Sequence, residues 1–465
     1  MKQVLIFLVI VAIAGTACKK DSFITGTVNL STSADTLHFD TVFTTTGSVT
    51  HYFRIFNNND QKLRIHNVSL AGGNNSFFRI NVDGTPGPIV TNIEIDANDS
   101  AYVFVSVKID PNAANLPFVV RDSIHIQYNQ QEQWIQLEAW GQNAHFLRSH
   151  VVSSDEVWTN DKPYVILGGL QVDTNAILSI AQGSRIYFHA DAPLVVDGTL
   201  HVEGDRYDST RVIFRGDRLD DPYRDYPGAW PGIYFRGESS DNILRYTTIK
   251  NAYQGITTIG PSPNSNPKIV MSETIIDNCY DAGIQAVQSS VWAQNCLISN
   301  CGKNIILALG GDYNLNHITA VAYTNSYAQH KDPVIQITDF IREGNTIVTA
   351  PLYAKITNSI FWADNSIVEN EVITSKQGSD AFNVDFQNCL WKVKTNPANA
   401  AMKDIIANQS PLFDSVDNQK RYYNLRLKEG SPALNKGFAS SLPIDLDGLP
   451  RPVGLPDLGC YEKQQ

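Results

Sequence analysis

Glu273-Thr-Ile-Ile-Asp-Asn278, Asn295-Cys-Leu-Ile-Ser-Asn300 and Asn316-His-Ile-Thr-Ala-Val321 are copies of one short phrase. It returns as Asn358-Ser-Ile-Phe-Trp362 and Asn388-Cys-Leu-Trp-Lys392. Successive copies start 22, 21, 42 and 30 positions apart. The shortest steps have the length of one solenoid coil, the longest that of two, and the last that of a coil carrying an insertion. Repetition at this period means that each unit packs only on its neighbours. The phrase is rich in Ile, Thr, Val and Asn and lacks apolar residues spaced by three and four, so the coils are made of strands.

A leucine-rich repeat has a similar period, but its L-x-x-L-x-L spacing is absent. The phrases instead resemble right-handed parallel β-helices of the pectin-lyase-like kind. Coils of that fold stack at about 4.8 Å, which sets equivalent side chains over one another. Asn251, Asn278 and Asn300 each follow an Ile by two residues. They are expected to form an inward amide ladder at a coil corner, a structural role. Upstream, Leu178–Gly183, Leu194–Gly204 and Arg211–Phe214 alternate apolar and polar residues with Gly between them. Together with Trp230-Pro-Gly-Ile-Tyr-Phe235 they resemble the opening coils of right-handed β-helix repeat proteins.

Residues 18–144 have another rhythm. Strand-like runs such as His51–Phe56, Leu63–Val68, Tyr102–Val107 and Ser123–Gln127 alternate with turn clusters such as Asn57–Asp60. Phe53-Arg-Ile-Phe-Asn-Asn58 and Leu137-Glu-Ala-Trp-Gly141 resemble immunoglobulin-like domains of the ASPM and Hydin type, which space and orient rather than catalyse. The expected fold class is all-β: an N-terminal β-sandwich followed by a single-chain right-handed parallel β-helix solenoid. The expected divisions are the sandwich at 18–144, a connector at 145–162, the β-helix at 163–430 and a cap of the last coil at 431–465. Ser431-Pro-Ala-Leu-Asn-Lys-Gly437, Asp445–Pro452 and Pro456–Glu462 resemble the choice-of-anchor Q segment that follows β-helices on bacterial surface proteins.

The start of the chain reads as a targeting segment. Lys2 precedes an apolar run, Val4 to Ala14, too short to cross a bilayer. Gly15-Thr16-Ala17-Cys18 resembles a bacterial lipoprotein signal, and Lys19-Lys20-Asp21 a weak form of the export tag of Bacteroidetes lipoproteins. The resemblance implies removal of residues 1–17, acylation of Cys18, and a monomer held by lipid at the outer membrane or cell surface. A net charge of −11 argues against nucleic acid as a partner. Of the remaining five cysteines, Cys279 and Cys301 are 22 residues apart and are expected to stack, as free thiols or as a bridge.

Pectin-lyase-like enzymes cleave polysaccharides with clustered Asp residues, or with a Lys or Arg base beside Ca²⁺. Neither set is legible, so no catalytic residue, cofactor or metal ligand is assigned. Asp445 and Asp447, the sharper alternative to a turn, would be the start of a metal site. His317 reads as a ladder residue. The richest polar and aromatic stretch is an insertion from Asp217 to Trp230. Its Asp220, Asp221, Tyr223, Asp225, Tyr226 and Trp230 could stack on sugar rings, hydrogen-bond hydroxyls or hold Ca²⁺. The expectation is a non-catalytic surface protein binding a glycan or a partner, with a polysaccharide lyase or hydrolase as the alternative. A groove bringing a Lys or Arg together with two carboxylates would favour the enzyme.

Overall fold

The computed structural model describes residues 22–43, 48–109, 118–327, 329–364, 367–439, 442–452 and 454–464. The signal segment and Cys18 lie outside them. The chain divides into two compact units, Met1–Asn143 and Ala144–Gln465. Among the described residues there is no α-helix.

The first unit has two five-stranded sheets. One holds Leu30–Thr32, His51–Asn57, Ser100–Val107, Phe78–Val82 and Thr85–Pro86. The other holds Thr36–Phe43, Gln131–Gln142, Phe118–Tyr128, Leu63–Leu70 and Ile89–Ile95. Period-two alternation turns Phe53, Ile55, Val103 and Val105 from one sheet and Ile65, Ile124, Ile126 and Ile135 from the other into a single core.

The second unit is built on one sheet of 24 strands, each paired in parallel with its equivalent a coil away, with two antiparallel hairpins beside it. The phrase copies stack: Ile275 on Leu297, Thr319, Ile360, Leu390 and Ile406. Beside them an interior column runs Phe214, Ile249, Ile276, Ile298, Ala320, Phe361 and Trp391. All seven are at most 1% exposed. Each large apolar member contributes about 1.5–3 kcal/mol by leaving water. In the Trp230-Pro-Gly phrase, Gly232 sits at φ 120°, where a Cβ would lie 1.7 Å from the Gln254 carbonyl oxygen. Only glycine fits there.

Four expectations are corrected. The 42-residue step, expected as two coils, is one coil: Thr319 pairs directly with Ile360, and the extra length is taken up in part by the antiparallel hairpin of Phe340–Glu343 and Thr346–Thr349. The stretch 145–162 is already wound: His145–Arg148 pairs with Tyr164–Leu167, and Glu156–Trp158 with Leu178–Ile180. Its short strands are broken by Ser, Asp and Asn, which hid the coil. Winding ends at Ile406–Ala407, and Phe413–Asp417 with Tyr422–Leu427 form an antiparallel hairpin. The third phrase copy is out by one residue. Gln294 faces Asn316 and Cys296 faces Ile318, so His317 rather than Asn316 stacks on Asn295.

The C-terminal residues lie along the flank of the coils instead of closing the last one. Lys436 O accepts from Asn388, Phe438 O from Asn358, Ile444 O from Asn295 and Leu446 O from Arg211, which takes the segment from late coils to early ones. The cause is an apolar outer flank. Leu297, Val321, Ile360 and Leu390 point away from the interior and are covered by Phe413, Leu425, Ala433, Leu446, Leu458 and Tyr461. Deleting residues 431–465 should bare that flank. The expected result is a marked rise in binding of an apolar fluorescent dye and a lower melting temperature; an unchanged dye signal would contradict this role.

Candidate functional site

The corners of the coils decide where polar side chains go. Asn251, Asn278 and Asn300 have φ of 60°, 58° and 54°. This left-handed region costs an ordinary residue about 1–2 kcal/mol and Asn less. Asn278 donates to Asn251 Oδ1 at 2.9 Å, so these two are vertical neighbours joined by their amides. Asn300 continues the column but donates to Asp277 Oδ1 at 3.3 Å. The ladder does not feed the interior. Asn251 and Asn278 also donate to the carbonyls of Arg224 and Asp225, at 2.7 and 2.9 Å, in the insertion outside the coil.

The insertion is therefore fastened down, and its functional groups are occupied. Arg218 holds Asp220 at 2.7 and 2.8 Å and covers the Tyr223 ring at 4.0 Å. Arg224 pairs with Asp221 at 2.9 Å, and Arg421 with Asp225 at 3.2 Å. Tyr226 meets Tyr223 and Tyr327 edge-on. Trp230 is 1% exposed, stacks on Phe188 at 4.3 Å and donates to Lys250 O. It belongs to the core, which corrects its place in a sugar-binding loop: the strand it opens points it inward. Tyr223 and Tyr226 remain partly exposed.

A second left-handed column contains Tyr246, Glu273, Asn295, His317, Asn358 and Asn388, which apart from Tyr246 and His317 are the first residues of the phrase copies. Asn295 donates to Glu273, and Asn358 shares a hydrogen bond with His317. The C-terminal segment seals this column. Buried Arg451 meets His317, donates twice to Gly459 O and lies 3.5 Å from Glu462. Asp445 accepts the backbone N–H groups of Asp447, Leu449 and Glu462, and Asp447 pairs with Arg426. These carboxylates hold a turn. Burial pushes Asp445 up and His317 down from their ordinary pKa values, the latter helped by Arg451. Among the described residues no three His, Cys, Asp or Glu side chains gather as a metal would require. Cys279, Cys296, Cys301, Cys389 and Cys460 are buried free thiols, and Cys301 donates to Ser299 O at 3.3 Å.

The open site is elsewhere, on the outward face of six successive parallel strands: Ile269–Ser272, 289–294, 311–316, Leu352–Thr357, Phe382–Gln387 and Ala400–Lys403. Alternation sends Val291, Tyr313, Ala354 and Val384 inward and leaves Trp292, Asn314, Lys355 and Asp385 as an outward column. Beside it run Gln294, Asn316, Thr357 and Gln387 on one side, and Ser290, Asp312, Tyr353 and Asn383 on the other. Three depressions of about 400, 610 and 440 Å³ all share Trp292. Pro261–Pro267 and Pro351 border one, and Phe438, Ala439 and Leu442 of the C-terminal segment border another. Trp292 is 45% exposed and Tyr353 47%. Among the described residues Lys355 has no carboxylate within 4 Å. The legible signal was Trp292 itself, an aromatic at an outward position of Val291-Trp-Ala-Gln294.

Residues 198–320 match the family model described as "Right handed beta helix region". The second unit is a right-handed parallel β-helix. No curated protein matches the chain. Three solved structures share pieces of its shape. The family 123 glycoside hydrolase of Clostridium perfringens is 12% identical over 27% of this chain and 31% of its own, at a TM-score of 0.20. The catalytic unit of a GH87 alpha-1,3-glucanase from Streptomyces thermodiastaticus is 11% identical over 79% of this chain and 90% of its own, at 0.27. The PapD-like domain 7 of human CEP192 is 9% identical over 24% and 84%, at 0.17. This chain thus spans under a third of the first of them, and likeness at these scores carries no inference about activity.

Trp230→Ala should cost about 3–5 kcal/mol, the usual penalty for emptying a buried Trp site. Urea denaturation measures it. A loss below about 1 kcal/mol would mean that the ring is not a core element.

Proposed function

We propose that this chain is a lipid-anchored protein of the bacterial envelope whose β-helix binds a glycan without cleaving it. The observation that carries the reading is the cleft around Trp292. The partly exposed rings of Trp292 and Tyr353, with Phe438 at the border, stand among amides and hydroxyls from four coils. Aromatic faces stack on sugar rings, and amides both donate to and accept from hydroxyls. Such groups on a rigid sheet lose little freedom when a ligand arrives.

The first unit acts in this reading as an immunoglobulin-like β-sandwich spacer, supported by its two sheets and shared core. Acylation at Cys18 and a place at the outer membrane or cell surface rest on the sequence of residues 1–21. The choice-of-anchor Q resemblance rests on residues 431–465, which serve here as a strap and as one wall of the cleft.

One observation favours the alternative of a polysaccharide lyase or hydrolase: Lys355, Asp312 and Asp385 line the same depression. Sheet geometry weighs against it. Asp312 and Asp385 are two strands apart and offset by two residues, which separates their backbones by roughly 12 Å. Inverting hydrolases hold their carboxyl groups about 6.5–9.5 Å apart.

Binding is tested by native electrophoresis through gels cast with neutral or uronate polysaccharides, alongside assays for reducing ends and unsaturated uronates. Retardation without product is expected. Trp292→Ala should weaken retention about tenfold or more at unchanged stability. Product formation abolished by Asp312→Asn or Lys355→Ala would replace binding with catalysis.

A further inference from the structure

Resting on the glycan-binding reading, we infer that the cleft takes a neutral, linear polysaccharide laid along the solenoid axis, and that it disfavours polyuronates. Length comes from the floor. Six strands at about 4.8 Å per step give a surface roughly 24 Å long, running across the coils. The three depressions all border Trp292 and lie side by side along this floor, so a polymer can occupy more of them than a single sugar.

The charge of the lining selects the class. The three depressions carry two carboxylates, Asp312 and Asp385, and one ammonium, Lys355. The rest of the polar lining is neutral, with Gln294, Asn314, Asn316, Asn383 and Gln387 at its centre. A uronate chain brings one negative charge per sugar and would need several cations here, or metal sites. Among the described residues no metal-holding cluster is present. One Lys against two Asp leaves the polyanion repelled at close range, and the net charge of −11 adds a repulsive long-range field. Amides have no such preference. They exchange hydrogen bonds with hydroxyls in both directions.

The test uses the full chain in detergent and native gels containing β-glucan, α-glucan, galactomannan, polygalacturonate or alginate, at low and high salt. Retardation by at least one neutral polymer is expected, insensitive to salt and reduced about tenfold in Trp292→Ala. No retardation by the two uronates is expected. The Asp312→Asn, Asp385→Asn double variant should gain retention on polygalacturonate at low salt. Three results would overturn the inference. Trp292-dependent retention by a uronate above that by every neutral polymer removes the neutral class but leaves glycan binding standing. A double variant still excluded from polygalacturonate removes the electrostatic ground. No Trp292-dependent retention by any polymer removes the binding reading as well.

Discussion

Parallel stacking of coils at the inter-strand distance constrains this molecule more than any other contact. Each residue must tolerate its own equivalent directly above and below. In the interior the demand is met by apolar columns such as Phe214, Ile249, Ile276, Ile298, Ala320, Phe361 and Trp391. At the corners it is met by residues that accept left-handed backbone, with Asn recurring because its amide can bond both a neighbouring coil and whatever lies outside.

That outward reach explains the two additions to the solenoid. Amides of the Asn251 and Asn278 corner donate to the carbonyls of the insertion before Trp230. At the second corner, Asn295, Asn358 and Asn388 donate to carbonyls of the C-terminal segment. The second attachment also buries Arg451 with Glu462. Removing one member of such a buried pair costs about 3–5 kcal/mol, because the other is left uncompensated. Both additions are therefore parts of the wall rather than free arms. One consequence is functional: Phe438, Ala439 and Leu442 form a side of the Trp292 cleft only because the strap is held.

Alternation leaves the third face open. Strands whose inward residues are fixed by the core are free in their outward ones. On the six strands from Ile269 to Lys403 those residues form a strip of amides, hydroxyls and two aromatic rings. A strip of this kind can grip a sugar chain. Its charged groups are few: Asp312, Asp385 and Lys355.

The repeated phrase and its period determined the solenoid, because strand alternation and stacking are local rules that each coil obeys alone. The column through Asn278 and Asn300 was legible for the same reason. The off-by-one at His317 was not, since an Asn stands beside it in the sequence. The wound state of 145–162 was hidden by its short, broken strands. The richest polar stretch, Asp217–Trp230, pointed to a site whose carboxylates are paired by Arg218, Arg224 and Arg421 and whose Trp230 belongs to the core. The cleft needed the fold. Trp292, Asp312, Tyr353, Lys355 and Asp385 come from four coils with insertions of unequal length between them, and only the register of parallel strands sets such distant residues side by side.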